Sequence, residues 1–463
     1  MKASLRAIHR DLRLSSISAA QLTEPCLEQM EQSETWFNAY KTPLPDNARE
    51  TAAQTDARLK AGDDPGPLAG IPVSVKDLYA VHDVPLFAGS ASEIPQSLLQ
   101  QGPVVNRLRN QGAVITGKTH TVEFAFGGLG FNSHWGTPRN PWDASEHRVP
   151  GGSSSGAGVS LCQGSALLAL GTDTAGSVRI PASMTGNVGL KTSFGRWSLD
   201  GIFPLSPSLD TAGLLTRTVE DAAFAFAALD PLTTEPVEAF LEGLPSTTAP
   251  RLGLGEPALW DHCEDHIVDV VQGALEELAR DGASFVDTTL PEVSDAQELL
   301  RQGNVVAAEL AEFLSAMLPA WLDKLDPVVG SRIRDGGSIS AAEWLGRKRR
   351  LDTISATASR HFEACDVIVS PTVPISPPRV DDVAEIDQYR PANLASLSNT
   401  CVANSLRLCA LTLPVGLDKN GMPVGLQIMA PHGEENRLLG VGLWLENKLG
   451  NRRERIGNPP EAA

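Results

Sequence analysis

The sequence has no paired cysteines of the C-x-x-C kind. Its six cysteines, Cys26, Cys162, Cys263, Cys365, Cys401 and Cys409, lie scattered. That scatter reads as buried, reduced thiols in a cytoplasmic protein rather than a disulfide framework. Long apolar runs are missing as well. None approaches the roughly 18 residues of a membrane span. The N-terminal stretch carries charges throughout and no apolar block, so no secretory signal and no membrane partner are expected. Positive charge is in deficit: 38 Lys and Arg stand against 56 Asp and Glu, for a net charge of −18. A nucleic-acid backbone needs a basic face, so nucleic acid is not expected as a partner. No internal repeat and no low-complexity segment occurs. His262 and His266 are spaced for one helix face, but no further ligand stands near. A solvated helix start is expected there, with no metal and no cofactor.

What is present suffices for a large core: 463 residues, 42% of them hydrophobic. Runs such as Val73–Val75, Leu167–Leu170 and Val367–Val369 are apolar on both faces, which suits strands buried on both sides of a sheet. Helices are expected over 17–31, 105–111, 219–229 and 267–278, with a polar helix over 46–61 ending at Gly62 and mostly helical structure over 293–335 and 341–364. Asn420-Gly421 between two apolar runs predicts a hairpin joining Leu411–Val415 to Val424–Met429. The fold expected is α/β: a central twisted mixed sheet surrounded by helices, in one domain over 1–463. Asp230–Pro250, rich in Pro, Thr and Glu, reads as a surface connection or lid.

The chemistry concentrates between Val149 and Thr192. Gly and Ser crowd both ends of this stretch, and its middle is apolar. Glycine permits close backbone approach, and serine supplies hydroxyls that act as nucleophile or proton carrier. Ser153 sits in Gly151-Gly152-Ser153-Ser154-Ser155-Gly156. Ser177 sits in Gly171-Thr172-Asp173-Thr174-Ala175-Gly176-Ser177. A reactive serine needs a base, usually histidine. Only His147 lies near. Upstream, Gly70-Ile71-Pro72-Val73-Ser74-Val75-Lys76-Asp77 ends a short strand on one lysine. Burial lowers a lysine pKa from about 10.4, by as much as a few units. A neutral Lys76 then serves as the base.

Those three segments, in that order and at that interval, resemble the amidase signature family of serine hydrolases. The resemblance covers roughly 68–216, a signature core, with a weaker echo at 411–429. The region about 230–365 varies in the family and shapes its substrate pocket. The resemblance implies a Ser–cisSer–Lys triad of Ser177, Ser153 and Lys76, with a cis peptide bond before Ser153. It implies an acyl-enzyme on Ser177 and hydrolysis of a small carboxylic amide to acid plus ammonia or amine. The backbone N–H groups of Thr174, Ala175, Gly176 and Ser177 would form the oxyanion hole. Gly127 and Gly128 would touch the substrate backbone. An acidic enzyme of this kind is often a homodimer. Ser155 and Ala157 depart from the commonest pattern, as does Ala175, which would be strained at a positive φ. These departures bear on substrate fit.

Several neighbours carry structural expectations. His120 and Glu123 read as a hydrogen-bonded pair. Arg179 is expected to pair with Asp173 or another carboxylate, the alternative being contact with an anionic substrate; Lys191 is expected to serve an ion pair, and Asp210 to be structural. Trp321, Trp344 and Arg332 to Arg334 stand as unranked pocket candidates. Two rival enzymes share these letters. One is the amide-cleaving component of a glutamine-dependent tRNA amidotransferase, from the same family, which would release ammonia from glutamine and would need partner subunits. The other is an α/β-hydrolase esterase using Ser154 at the centre of G-x-S-x-G, with His262, His266, His361 or His432 as base. A non-catalytic binding protein that kept the fold is the remaining reading.

Overall fold

In the computed structural model, which describes residues 3–246, 248–303 and 305–460, eleven strands form one mixed sheet. They are β1 (Tyr40–Pro43), β2 (Pro72–Lys76), β3 (Val114–Thr119), β4 (Leu168–Asp173), β5 (Val188–Lys191), β6 (Thr211–Thr216), β7 (Arg251–Leu254), β8 (Ser284–Asp287), β9 (Val367–Pro371), β10 (Cys409–Leu417) and β11 (Pro423–Ala430). Their order across the sheet is β1-β3-β2-β4-β6-β5-β10-β11-β9-β7-β8. β3, β2 and β4 run parallel side by side, so their C-terminal ends meet at one edge. Every residue of β2, β3, β4, β5, β6 and β9 is buried. Helices cover both faces, which is why these strands read as unbroken apolar runs.

Local signals account for most elements. The helix Ala19–Phe37 starts at a capping box in which Ser18 and Gln21 exchange bonds, and it ends on Asn38 in the left-handed region. It runs past the expected end at residue 31 because Phe37 and Asn38, not a breaker, close it. The central strand β4 begins at Leu168, later than its apolar letters suggest, and continues to Asp173. Antiparallel pairing with β6, through Asp173 opposite Thr211, carries it past the apolar run. The hairpin of β10 and β11 forms as expected. Asp418 Oδ1 accepts the Asn420 and Met422 N–H groups, and Gly421 takes a φ of +75°. The stretch 230–250 departs from the loop expected, with Thr247 outside the described residues. It holds a helix, Val237–Gly243, whose Phe240 is buried against Phe226 of the helix Val219–Leu229. Among the described residues no helix is long and apolar enough to cross a membrane.

One short helix, Ser155–Gln163, sets the depth of the serine-rich loop. Its first turns are Gly156, Ala157 and Gly158, small enough to wedge between neighbours. A Cβ on Gly156 would lie 2.0 Å from the Ala39 carbonyl oxygen, and one on Gly158 would lie 2.3 Å from Thr185 Oγ1. Close approach therefore carries Ser153 and Ser154 down onto the C-terminal ends of β2 and β4. Gly156→Ala must push backbone apart, and such overpacking costs about 1–3 kcal/mol. Urea denaturation is expected to show a loss of at least that size.

Candidate active site

Lys76 ends β2 and is fully buried. Its Nζ donates to Ser153 Oγ at 2.7 Å and to Thr172 Oγ1 at 2.8 Å. Neither acceptor is charged. Burial drives the Lys76 pKa down to about 7, against the opposing pull of Asp173 and Asp210. The adjacent carboxylate, Asp77, is unavailable to it. Lys118 on the next strand claims Asp77 Oδ1 at 2.8 Å, and the Phe87 N–H donates to Oδ2 at 3.1 Å. The lysine thus meets hydroxyls only, which suits a proton acceptor better than a fixed cation.

The peptide bond Gly152–Ser153 is cis. Ser153 is also fully buried, and its carbonyl accepts the Ser155 N–H at 2.8 Å. The two serine-bearing turns lie against each other, because the Ser154 N–H donates to the Ser177 carbonyl at 3.2 Å. Ser177 is 4% exposed, whereas Lys76 and Ser153 are at 0%. Ser177 is thus the more accessible of the three, and its turn lies against the turn that carries Ser153. Ser154 is fully buried, and its hydroxyl points back at the Thr172 carbonyl. No histidine among the described residues touches it. His262 and His266 reach Ser398 and Ser376, His361 reaches Glu292, and His432 reaches the Phe194 carbonyl. The elbow reading with Ser154 fails on both counts. Among the described residues no cluster of His, Cys, Asp and Glu could hold a metal ion.

The turn before Ser177 is held from three sides. Thr174 Oγ1 donates to Asp210 at 2.6 Å, and the Asp210 carboxylate also takes the Leu205 and Ser206 N–H groups. Thr400 Oγ1 donates to the Ala175 carbonyl at 2.7 Å. Ala175 itself has no positive φ, so its methyl is unstrained. Gly176 does adopt a φ of +133°, and a Cβ there would lie 2.1 Å from Thr400 Oγ1. The Gly176 N–H is engaged by Asp173 Oδ1 at 2.7 Å, which removes it from the expected set of oxyanion donors. The N–H groups of Ala175 and Ser177 find no acceptor among the described residues.

Arg179 is the anchor beneath this turn. It pairs with Asp173 through Nε to Oδ2 and Nη2 to Oδ1, each at 3.0 Å, with both side chains fully buried. Nη2 also donates to Asn404 Oδ1 at 2.7 Å, and Nη1 donates to Gln427. Burial would raise the Asp173 carboxyl, but Arg179, Lys191 and Asn404 hold it down at about 2. The pair is structural, as its sequence position suggests. Two other expectations need correction. His120 and Glu123 do not meet: His120 Nε2 lies 3.1 Å from Asn38 Oδ1, while Glu123 joins His134 Nε2 at 3.0 Å. Lys191 serves no ion pair among the described residues. It donates to the Thr192 and Leu408 carbonyls at 2.8 Å, tying β5 to the segment entering β10.

Gly127 and Gly128 face the helix Ile386–Leu397. The Gly128 N–H is taken by Asn393 Oδ1 at 2.7 Å, and its carbonyl accepts the Gly152 N–H at 2.7 Å. These glycines brace the loop before Ser153. Thr172, Thr400, Asn404 and Asn393 escaped sequence reasoning. Thr172 sits inside a recognised motif and could have been suspected; the other three come from segments with no local signal of chemistry. Removing one partner of a buried ion pair costs about 3–5 kcal/mol. Arg179→Leu is expected to lose stability of that order by denaturant titration, well beyond an exposed Arg49→Leu control.

Comparison with known proteins bears on this arrangement. The amidase family profile matches residues 21–439. A 2-amino-5-chloromuconic acid deaminase of Comamonas testosteroni is 51% identical, over 97% of this chain and 96% of the relative. An amidase of Pseudomonas putida is 33% identical, over 96% of this chain and 95% of the relative. A glutamyl-tRNA(Gln) amidotransferase chain of Maridesulfovibrio salexigens is 32% identical, over 96% of this chain and 97% of the relative. A crystal structure of an amidase superposes with a TM-score of 0.87 at 30% identity, over 97% of this chain and all of the other. The chain belongs to the amidase family, hydrolases of carbon–nitrogen bonds in amides.

Proposed function

We propose that this enzyme hydrolyses a small carboxylic amide through an acyl-enzyme on Ser177. The observation that carries the reading is the buried Lys76 ammonium, bonded at 2.7 Å to Ser153 and lacking a carboxylate partner among the described residues. Ser177 Oγ attacks the carbonyl carbon. Its proton passes to Ser153 as the Ser153 proton moves to neutral Lys76. The developing oxyanion faces the N–H groups of Thr174, Ala175 and Ser177, each donor worth about 3–4 kcal/mol in such a site. Collapse breaks the C–N bond, and the proton returns through Ser153 to the leaving nitrogen. Water then repeats the sequence on the ester, so amide plus water gives acid plus ammonia or amine.

The 51% identity to the Comamonas deaminase, named for a small amino-substituted organic acid, supports a small-molecule substrate. The tRNA amidotransferase chain is more distant, at 32%. A cytoplasmic location is part of the same reading, supported by six free cysteines, as is a homodimer, to be checked by sedimentation.

Two measurements test it. A fluorophosphonate is expected to label Ser177, and Ser177→Ala to lower turnover by about four orders of magnitude or more. Lys76→Met should abolish the label; undiminished turnover in either variant would sink the reading. The second measurement is the pH profile. Lys76 acts only when neutral, so kcat/KM for a neutral amide should rise about tenfold per pH unit below about 7 and level off above it. Of the carboxylates that bear on Lys76, Asp173 stays ionised throughout, and burial raises Asp210 to about 6. Asp210 gains charge as the lysine loses it and resists that loss, so the limb is broader than one titration.

A further inference from the structure

Arginines line a cavity of about 200 Å³ beside the loop that braces Ser153. Its walls carry Arg301, Arg332, Arg347 and Arg390, and among the described residues one carboxylate, Asp335. Three of these guanidiniums are neutralised. Arg301 pairs with Glu298 at 2.8 Å, Arg347 with Glu343 at 2.5 Å, and Arg390 with Asp335 at 3.0 Å. Arg332 has no carboxylate within ion-pair reach among the described residues. Its Nη1 donates to the Phe126 carbonyl at 2.6 Å, and its guanidinium stacks 3.6 Å over the Phe126 ring. Nε and Nη2 have no acceptor among the described residues. A guanidinium carries five N–H donors in a fork that matches a carboxylate. Here one of its three nitrogens is engaged, and burial already disfavours its charge.

Two walls of the cavity neighbour the turns that carry Ser153 and Ser177. Phe126, which Arg332 grips, leads directly into Gly127 and Gly128. The Gly128 carbonyl holds the Gly152 N–H next to Ser153, and its N–H is held by Asn393, itself a cavity residue. On the other wall, Leu300 packs against the same apolar cluster as Ala175, two residues before Ser177. The space admits a short carbon chain with one charged end. A macromolecule does not fit it.

We propose that this cavity receives a second carboxylate of the substrate, with Arg332 as its charge partner. The substrate is then an amide derived from a short dicarboxylic acid. This rests on the amide hydrolysis proposed above. Arg332 acts in specificity, away from the reacting atoms.

The test compares succinamic, glutaramic and adipamic acids with butanamide, pentanamide and hexanamide. The wild type is expected to favour the best acid over its neutral counterpart by about tenfold or more in kcat/KM. Arg332→Gln should collapse that ratio, and Arg332→Lys should restore part of it. A purely structural role for Arg332 would lower both substrates alike and leave the ratio unchanged, which overturns the proposal. A readout free of turnover is calorimetric binding of adipate to Ser177→Ala protein, expected to weaken about tenfold when Arg332→Gln is added. No adipate binding, together with no acid preference, overturns the inference while amide hydrolysis stands. Adipate binding through Arg332 in an enzyme that cleaves no amide supports the carboxylate site and overturns the amide as its substrate.

Discussion

A lysine ammonium held in the protein interior without a counter-ion is the constraint on which the site depends. Water would keep Lys76 protonated, and a carboxylate within contact would do the same. The fold removes both. Helices on the two faces of the sheet exclude solvent from the end of β2, and Lys118 neutralises the one carboxylate adjacent in sequence. Thr172 and Ser153 each accept a hydrogen bond from Nζ without fixing the charge. Asp173 and Asp210 act only at longer range, and Asp173 is already committed to Arg179. The arrangement holds the Lys76 pKa at about 7, in a region where a free lysine would be a cation.

Around that lysine the two serine turns need rigidity of different kinds. The Ser153 turn is fixed by backbone: Gly152 bonds to Gly128, and small residues let the following helix press against Ala39. The Ser177 turn is fixed by side chains brought from far away. Arg179 binds Asp173, Asn404 and Gln427 at once, and Thr400 secures the Ala175 carbonyl. The result is a Ser177 turn whose N–H groups at 175 and 177 have no acceptor among the described residues, while most polar groups around them are engaged.

The legible part of this design lay in contiguous runs. Strands β2, β4, β9 and the β10–β11 hairpin announced themselves through apolar runs and an Asn-Gly turn. The residues now at the centre, Lys76, Ser153 and Ser177, stood in segments whose order and spacing resembled a known family. Contacts between segments were not legible. His120 and Glu123 are neighbours in sequence, yet the backbone turns sharply between them and each finds a partner elsewhere. Lys191 looked like half of an ion pair, but two carbonyls at strand ends took its protons. Thr400, Asn404 and Gln427 gave no signal, because their role exists only once β10 pairs with β5 and β11 with β10. The cavity around Arg332 falls where the resemblance faded, and its meaning depends on which arginines are already paired.

The pairing of β5 with β10 has a consequence for how the enzyme comes into being. Lys191 of β5 lies opposite Ala410, and the anchor of the nucleophile turn reaches to Asn404 and Gln427. A ribosome that has released everything through β6 has delivered Lys76, Ser153 and Ser177. It has not delivered the strand that closes the edge of β5 or the partners that hold Arg179. Until the C-terminal hairpin emerges, the nascent chain exposes an unpaired strand edge, the kind of surface that invites association with other chains. Assembly of this site is therefore a late event of biosynthesis, and a polypeptide ending before β10 holds Lys76, Ser153 and Ser177 without the strands that order them.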